Sequence, residues 1–193
     1  SVKKAVSGVD AVIHLANIYE FWIPHKKDFF AVNVEGKRNV LEESLDANVS
    51  KVIHVCTLGA YGVTEEKPFT EESTPADKRT SLYFETKYQG SKLAWNLHTE
   101  KNLPLVMVYP SAVTGPGDNK PSGRYVYNMA KGKMPAQVFL KSILTWVDVR
   151  NVAEVIVRAL EKEGNIGEKY FAGAEMLSFA EFNRHIANAS GMS

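Results

Sequence analysis

Residues 9–16 are Val-Asp-Ala-Val-Ile-His-Leu-Ala, a short and nearly continuous apolar run. Two later runs have the same character: Lys-Val-Ile-His-Val-Cys-Thr at 51–57, and Leu-Val-Met-Val-Tyr at 105–109, which is followed by Pro110. Apolar runs of this length, without alternating polar residues, are typical of strands buried on both faces of a parallel sheet. The sequence therefore predicts three core strands.

The segments between these runs favour helices. Apolar residues recur at helical spacing from about Asp28 to Asn48, and about Leu82–Lys101 also has a helical pattern. Further along the chain, the patterns predict a helix at about Ser122–Lys131, a short strand at Ile143–Val147, a helix from Asp148 to about Lys162, a strand at Lys169–Ala172 and a final helix opened by the capping box Ser178–Glu181. Strands that alternate with helices predict an α/β fold with a doubly wound, Rossmann-like parallel sheet.

The ends of the three apolar runs bear on function. In doubly wound sheets, ligands bind outside the carboxyl ends of the strands. Ala16, Thr57 and Pro110 all fall at such ends, so we expect them to lie along one rim. The polar segment from Val63 to Ser81, with its two prolines, is expected to cross the surface.

Composition excludes several classes of protein. The formal net charge is +1 and the basic residues are scattered, which argues against a nucleic-acid partner or an anionic membrane surface. No apolar run approaches the roughly 18 residues of a membrane span. The one cysteine, Cys56, cannot form an internal disulfide, and it fits a reducing, cytoplasmic compartment. The expectation is a globular protein with no membrane partner.

One pair of residues in the second helix could carry out proton transfer. Tyr83 and Lys87 are four residues apart, so they lie on one face of the helix. An ammonium beside a phenol favours phenolate, and we expect it to lower the pKa of Tyr83 towards working pH. Tyr88 and Lys92 repeat the spacing, so this pattern alone leaves two alternatives.

Other chemically capable residues carry weaker signals. His14 on its apolar strand indicates a core histidine, and the five histidines show no metal-ligand spacing. Cys56 is interpreted as packing in a buried strand. The aromatic residues Tyr19, Phe21 and Trp22 either wall a substrate pocket or cover the core. We therefore expect no metal site.

Several motifs, taken in this order, resemble the extended short-chain dehydrogenase/reductase family, which includes nucleotide-sugar epimerases, dehydratases and dihydroflavonol-reductase-like enzymes. The motifs are His14-Leu15-Ala16, Asn33-Val34-Glu35-Gly36, Thr57 before Tyr61-Gly62, Tyr83-x-x-x-Lys87, Pro110-Ser111-Ala112-Val113 and Trp146-Val147-Asp148-Val149. Gly-Lys-Met-Pro at 132–135 and Gly-Glu-Lys-Tyr at 167–170 are most similar to dihydroflavonol reductases and hopanoid-associated sugar epimerases.

The resemblance selects one of the two Tyr–Lys pairs. Lys87 lies 110 − 87 = 23 residues before Pro110, which suits the family spacing better than the 110 − 92 = 18 residues from Lys92. The 83 − 57 = 26 residues between Thr57 and Tyr83 also suit it. The resemblance therefore implies catalytic roles for Thr57, Tyr83 and Lys87.

Family chemistry then implies a role for each position. Tyr83 would exchange a proton with the substrate while hydride passes to or from NAD or NADP, and Thr57 would orient the substrate oxygen. Lys87 would also bind the nicotinamide ribose. The other implied cofactor-binding residues are Leu15, Ala16, Asn17, Asn33, Pro110 and Val113.

The glycine-rich turn that holds a dinucleotide pyrophosphate is not found in this sequence. The resemblance therefore implies a fragment that lacks the N-terminal strands of the sheet, and the alternative is a naturally shortened protein that keeps Tyr83 and Lys87. Residues 1–121 would form a partial dinucleotide-binding domain. Residues 122–193 would form a mixed region, partly substrate lobe and partly Rossmann core.

Two functional hypotheses follow. The first is an NAD(P)-dependent oxidoreductase or epimerase that acts on a hydroxyl or carbonyl group of a nucleotide sugar or a dihydroflavonol-like molecule. The alternative is a non-catalytic binding or redox-sensing relative of the same fold. The resemblance also implies that the full-length protein forms a homodimer through the helices at about 28–48 and 82–101.

Overall fold

The computed structural model describes residues 1–64, 68–134 and 136–191. Pro135 of the Gly-Lys-Met-Pro motif therefore lies outside the described residues, as does part of the polar segment 63–81. The chain divides into two compact units, one made of Ser1–Tyr109 with Val155–Phe171 and the other of Pro110–Glu154 with the described part of Ala172–Ser193. The expected division at residues 121 and 122 stays a prediction.

The helices and strands follow the expected alternation, with two additional short strands, Ala112–Thr114 and Glu175–Ser178, that the sequence did not predict. The strands are β1 (Ala11–His14), β2 (Lys51–Val55), β3 (Leu105–Pro110), β4 (Ala112–Thr114), β5 (Ile143–Asp148), β6 (Lys169–Ala172) and β7 (Glu175–Ser178). The helices are α1 (Val2–Val6), α2 (Lys27–Phe30), a π-helix (Ala31–Gly36), α3 (Lys37–Asp46), a 3₁₀ helix (Leu58–Tyr61), α4 (Leu82–Lys101), α5 (Pro121–Ala130), α6 (Val149–Glu161) and α7 (Phe179–Ser190).

The first unit contains the predicted parallel sheet. Strand order is β1-β2-β3-β6, and β1, β2 and β3 pair in parallel, with Val12 opposite Val52 and Val52 opposite Leu105. This parallel sheet with flanking helices confirms the Rossmann-like α/β fold. Because the three strands run in one direction, their carboxyl ends meet at one edge, as the sequence predicted.

The core of this sheet lies under α3 and α4. Leu41 of α3, Ala94 of α4 and Met107 of β3 are almost wholly buried in one apolar cluster. The expectation that β1 is buried on both faces was wrong, because Ile13 is 39% exposed. Among the described residues, β1 pairs only with β2.

The second unit contains a smaller mixed sheet in the order β4-β5-β7. Strands β4 and β5 are parallel, whereas β5 and β7 are antiparallel. The Trp146 ring stacks on Phe182 at 3.8 Å between centroids, and this pair anchors the local core. The capping box predicted at Ser178 and Glu181 is present and opens α7.

Within the described residues, no helix combines the length and the apolar character needed to span a membrane.

The first helical segment differs from prediction in a way that concerns the site. The uniform helix expected from about Asp28 to Asn48 is interrupted by the π-helix, a form that is frequent at functional sites. The side chains of Asn33 and Lys37 are both wholly buried on this segment. A hydrophobic pattern does not distinguish a π-turn from an α-turn, and this is why the interruption was missed.

Close packing of α4 against the π-helix depends on Gly90. A Cβ atom at this position would lie 2.7 Å from the backbone oxygen of Asn33 and would also collide with the Lys37 amine. Only glycine allows this approach, although glycine within a helix is itself unfavourable by roughly 0.5–1 kcal/mol relative to alanine.

This packing predicts the effects of two matched substitutions. Gly90→Ala should lower the free energy of unfolding by about 1–3 kcal/mol, because a backbone oxygen cannot move aside cheaply. Gly36→Ala, whose Cβ would meet only Ala31 O at 3.4 Å, should be neutral or stabilise by about 0.5–1 kcal/mol. Urea denaturation of both variants measures the difference. Equal stability of the two variants would contradict the close approach.

Candidate active site

The candidate site is built on the amino-terminal half of α4. The Ser81 side chain accepts a hydrogen bond from the Phe84 N–H, which caps the helix just before Tyr83. Tyr83 and Lys87 then fall one turn apart on a face that is buried, with exposed fractions of 6% and 2%. The helix therefore presents both side chains to the interior of the first unit.

The Tyr83 ring lies within a group of aromatic side chains. Its centroid is 5.3 Å from Tyr19, 6.0 Å from Phe21 and 5.2 Å from Phe84. Phe21 also contacts Phe84, in an edge-on arrangement at 6.0 Å. The sequence left open whether the loop aromatics wall a substrate pocket or cover the core. In the structure, Tyr19 and Phe21 lie beside the candidate catalytic tyrosine, whereas the Trp22 side chain is 75% exposed.

The expected lowering of the Tyr83 pKa was wrong for this state of the protein. Burial, followed by Cys56 and Tyr19, raises the pKa of Tyr83 well above its usual range. The Lys87 amine instead donates a hydrogen bond to the backbone oxygen of Val55, at 3.2 Å. At neutral pH the phenol is therefore protonated, which is the form that acts as an acid.

Thr57 follows directly after β2, where the chain turns into the 3₁₀ helix. Its hydroxyl oxygen accepts a hydrogen bond from the Gly59 N–H at 3.4 Å, and its side chain is half-buried. A Cβ atom on Gly59 would collide with the Phe84 ring, so glycine lets this turn pack against α4. Thr57 is thereby placed on a turn that contacts the residue next to Tyr83.

Asn33 joins the loop after β1 to α4. Its side-chain oxygen accepts from the Ile18 N–H at 2.8 Å, and its side-chain nitrogen donates to the Thr86 hydroxyl at 3.1 Å. The Thr86 hydroxyl in turn donates to the backbone oxygen of Tyr83 at 2.9 Å. The resemblance implied a cofactor-binding role for Asn33, which stays a prediction, whereas nothing in the sequence pointed to Thr86, which is wholly buried.

The expected cofactor-binding residues after β1 suit a bound dinucleotide. Leu15 and Ala16 are exposed at the carboxyl end of the strand. The side-chain oxygen of Asn17 is buried without a hydrogen-bond partner among the described residues, so it is free to accept from a ligand. The Lys87 amine has three N–H groups, of which the hydrogen bond to Val55 uses one. These groups could hold the ribose and nicotinamide end of NAD.

The remaining expected cofactor contacts lie further along the chain. Pro110 is the last residue of β3 and is buried, while Val113 lies half-buried in β4 of the second unit. Their contact with a cofactor stays a prediction.

The second Tyr–Lys pair has different surroundings. The Arg79 guanidinium lies 3.5 Å from the centre of the Tyr88 ring, and the Lys92 side chain is exposed. Both residues line a cavity of about 250 Å³ that is also bordered by Trp95 and Tyr109, and neither Tyr83 nor Lys87 is among its lining residues. Stacking under a guanidinium and contact with solvent suit packing and surface roles.

His14 and His54 are buried near this site but show no sign of metal binding. Their rings are 5.7 Å apart, and burial lowers the pKa of His14 to about 4, which keeps the imidazole neutral. Across the described residues, no group of three or more histidine, cysteine, aspartate or glutamate side chains could hold a metal ion.

Comparison with known proteins identifies the family. A sequence model of the NAD-dependent epimerase/dehydratase family matches residues 1–173. "Sterol demethylase protein B" of Methylococcus capsulatus is 28% identical, with 99% of this chain and 58% of the relative covered. The 3-beta-hydroxysteroid dehydrogenase of Mycolicibacterium neoaurum is 26% identical, with coverage of 98% and 56%.

A solved structure agrees with these relatives. The UDP-glucuronic acid 4-epimerase of Bacillus cereus, in complex with UDP-glucuronic acid and NAD, superposes with a TM-score of 0.88 at 25% identity, covering 100% of this chain and 63% of the epimerase. The chain thus spans somewhat more than half the length of the relatives it matches. Its motifs, its parallel sheet and the match over residues 1–173 together show that the chain belongs to the NAD-dependent epimerase/dehydratase family, within the extended short-chain dehydrogenases/reductases.

Proposed function

We propose that the complete protein is an NAD(P)-dependent oxidoreductase that interconverts a hydroxyl and a carbonyl group on an apolar, ring-containing small molecule. The observation that carries this proposal is the position of the Tyr83 phenol. It lies among Tyr19, Phe21 and Phe84, one helical turn before the buried amine of Lys87. A proton donor is thereby combined with an apolar, aromatic environment for the group that it would protonate.

Tyr83 is the residue suited to transfer the proton. In the reductive direction its hydroxyl donates a proton to the substrate carbonyl oxygen as hydride reaches the carbonyl carbon, so that C=O becomes CH–OH. NAD or NADP, which Lys87 and the residues after β1 would hold, would supply the hydride in this direction and would accept it in the reverse direction. The Lys87 ammonium stabilises the phenolate that remains, and the Thr57 hydroxyl orients the substrate oxygen.

The aromatic surroundings favour an apolar substrate. Phe21 is 52% exposed and Trp22 is 75% exposed on the loop after β1, so both present aromatic surface that a flat apolar ring could cover. Two relatives named for sterol or steroid chemistry support this choice. Epimerisation of a nucleotide sugar is the second candidate, favoured by the likeness to an epimerase that binds UDP-glucuronic acid.

Replacing the two tyrosines separately tests the proton-transfer role. In the full-length enzyme, Tyr83→Phe removes the transferable proton with little change of shape and should lower kcat by about 10²–10⁴-fold. Tyr88→Phe, the matched control on the same helix, should leave kcat within a few-fold. Steady-state oxidation of NADH or NADPH with a ketone substrate measures both. Near-normal turnover by Tyr83→Phe would remove Tyr83 from the mechanism.

A substitution in the aromatic group tests the substrate class. Phe21→Ala should raise KM for a flavonoid or steroid ketone by about 3–10-fold, since one aromatic contact contributes roughly 0.5–1.5 kcal/mol. Its effect on KM for a nucleotide sugar should be smaller. Val157→Ala, an exposed apolar residue on α6 within the first unit, serves as the control. If only nucleotide sugars are turned over, the second candidate replaces the first.

We further propose that the full-length protein is a homodimer that uses the segment of α2, the π-helix and α3 together with α4. Exposed apolar side chains on the first segment, Phe30 at 37% and Val32 at 40%, support this assignment. Val32→Glu should therefore shift the protein towards the monomer in sedimentation velocity at micromolar concentration. Wild-type protein that sediments as a monomer would refute the proposal.

A further inference from the structure

Lys37 is an unusual buried residue that has no role in the proposed proton transfer. It is the first residue of α3, its side chain is wholly buried, and its amine has no hydrogen-bond partner among the described residues. A buried polar group without a partner is strongly unfavourable, and a buried charge is more so. A merely structural role would be served better by an apolar side chain at this position.

The Lys37 amine points at α4 beside Lys87. It occupies the space that a Cβ atom on Gly90 would need. Gly90 comes three residues after Lys87, and positions three apart on a helix have Cβ atoms about 5–6 Å from each other on one face. The amine of Lys37 therefore sits about one helical turn from the stem of the candidate catalytic lysine.

The groups that face Lys37 are mostly basic. They are His14 on β1, His54 on β2 and Lys87 on α4, together with the thiol of Cys56 directly after β2. In the part of the chain that the structure describes, no carboxylate is among the groups that shift the pKa values of Lys37 and of these three basic residues. Positive charge in this region is therefore not balanced by a buried negative side chain.

The two buried lysines differ in hydrogen bonding, and a hydrogen-bond acceptor favours the protonated form of an amine. The Lys87 amine has an acceptor in the Val55 backbone oxygen, whereas that of Lys37 has none among the described residues. Burial lowers the pKa of Lys37 to about 7, with Cys56 opposing and Lys87 adding to the decrease. Burial lowers the pKa of Lys87 as well, but the hydrogen bond to Val55 favours its charged form, whereas no acceptor among the described residues favours the charged form of Lys37.

We propose that Lys37 is a pH-dependent positioning residue for Lys87. When its amine is neutral, Lys87 is the sole buried ammonium beside Tyr83. When Lys37 takes up a proton, a second cation is brought against Lys87, and repulsion weakens the arrangement that Lys87 needs to support Tyr83. This inference rests on the proposed function for its effect on activity, but the ionisation of Lys37 can be measured independently.

The first test measures stability against pH. The folded-state pKa of Lys37, about 7, lies below the unfolded value of about 10.4. Between these values the unfolded state binds more protons than the folded state. The unfavourable free energy of burying Lys37 therefore becomes smaller as the pH rises across this window. In urea denaturation of the full chain, Lys37→Met should therefore have a higher free energy of unfolding than wild type, and the difference should be largest at pH 6–7. The difference should decrease steadily towards pH 10.

The control for this measurement is Lys92→Met, an exposed lysine on α4, which should show a margin independent of pH. If the stability difference between Lys37→Met and wild type is also independent of pH, the proposal is overturned. Should Lys37→Met fail to fold, NMR titration of ¹³Cε-lysine in the wild-type protein gives the answer. Lysine signals that all titrate above pH 9.5 would overturn it, whereas one titrating near pH 7 and retained in Lys87→Met would support it.

The second test follows the pH–rate profile of the full-length enzyme. Wild-type activity should decline below pH 7, and Lys37→Met should move this decline to lower pH by about one unit or more, because no second cation can form beside Lys87. Lys92→Met should follow the wild type. An unchanged acid limb in Lys37→Met would refute the positioning role even where the stability titration succeeds.

The two proposals fail in different ways. If Tyr83→Phe keeps normal turnover, the proposed function is wrong, yet the stability titration still reports on Lys37. If the titration shows no pH dependence while Tyr83→Phe is inactive, the positioning role of Lys37 is wrong and the function of Tyr83 stands.

Discussion

The amide side chain of Asn33 joins elements that are far apart in the chain. It accepts from the Ile18 N–H in the loop after β1 and donates to the Thr86 hydroxyl on α4, which itself bonds to the Tyr83 carbonyl. The loop that carries Tyr19 and Phe21 is thereby fixed relative to the helix that carries Tyr83 and Lys87. Because all these polar groups are partnered, the connection can be buried without a large desolvation penalty.

The same junction explains why the site is both apolar and basic. Close approach of α4 to the π-helix, permitted by Gly90, removes water from Tyr83 and Lys87 together. Burial raises the pKa of the Tyr83 phenol and lowers the pKa of the Lys87 amine, while the hydrogen bond from this amine to the Val55 oxygen favours its charged form. A protonated phenol is suited to donate, and the Lys87 ammonium stabilises the negative charge that then develops on the phenol oxygen. The chemistry proposed here follows from burial more than from the spacing of the two residues.

Much of this arrangement could be predicted from the sequence. The continuous apolar runs located β1, β2 and β3, and the helix Leu82–Lys101 was predicted with its observed limits. The short strands β4 and β7 were missed. Strand β4 has only three residues, and β7 carries exposed side chains such as Met176, so neither has a clear apolar pattern. Pattern reasoning detects strands that contribute to a core, and these contribute little.

The parts of the site that were missed depend on contacts between distant segments. Lys37 continues the helical spacing between Val34 and Leu41, so its position on the apolar face was visible in the sequence. A charged residue at such a position, however, interrupts the apolar pattern and does not indicate burial. Thr86 and Gly90 acquire their roles only through Asn33 and Lys37. The direction of the Tyr83 pKa shift likewise depends on the aromatic neighbours supplied by the loop after β1.

The most direct measurement of the central claim is a crystal structure of the complete protein with NAD and a ketone or alcohol ligand. The account predicts that the ligand oxygen lies about 2.6–3.2 Å from the Tyr83 hydroxyl, with Lys87 within hydrogen-bonding distance of the nicotinamide ribose. A ligand oxygen held at Tyr88, or a ligand seated in the cavity beside Trp95, would contradict it.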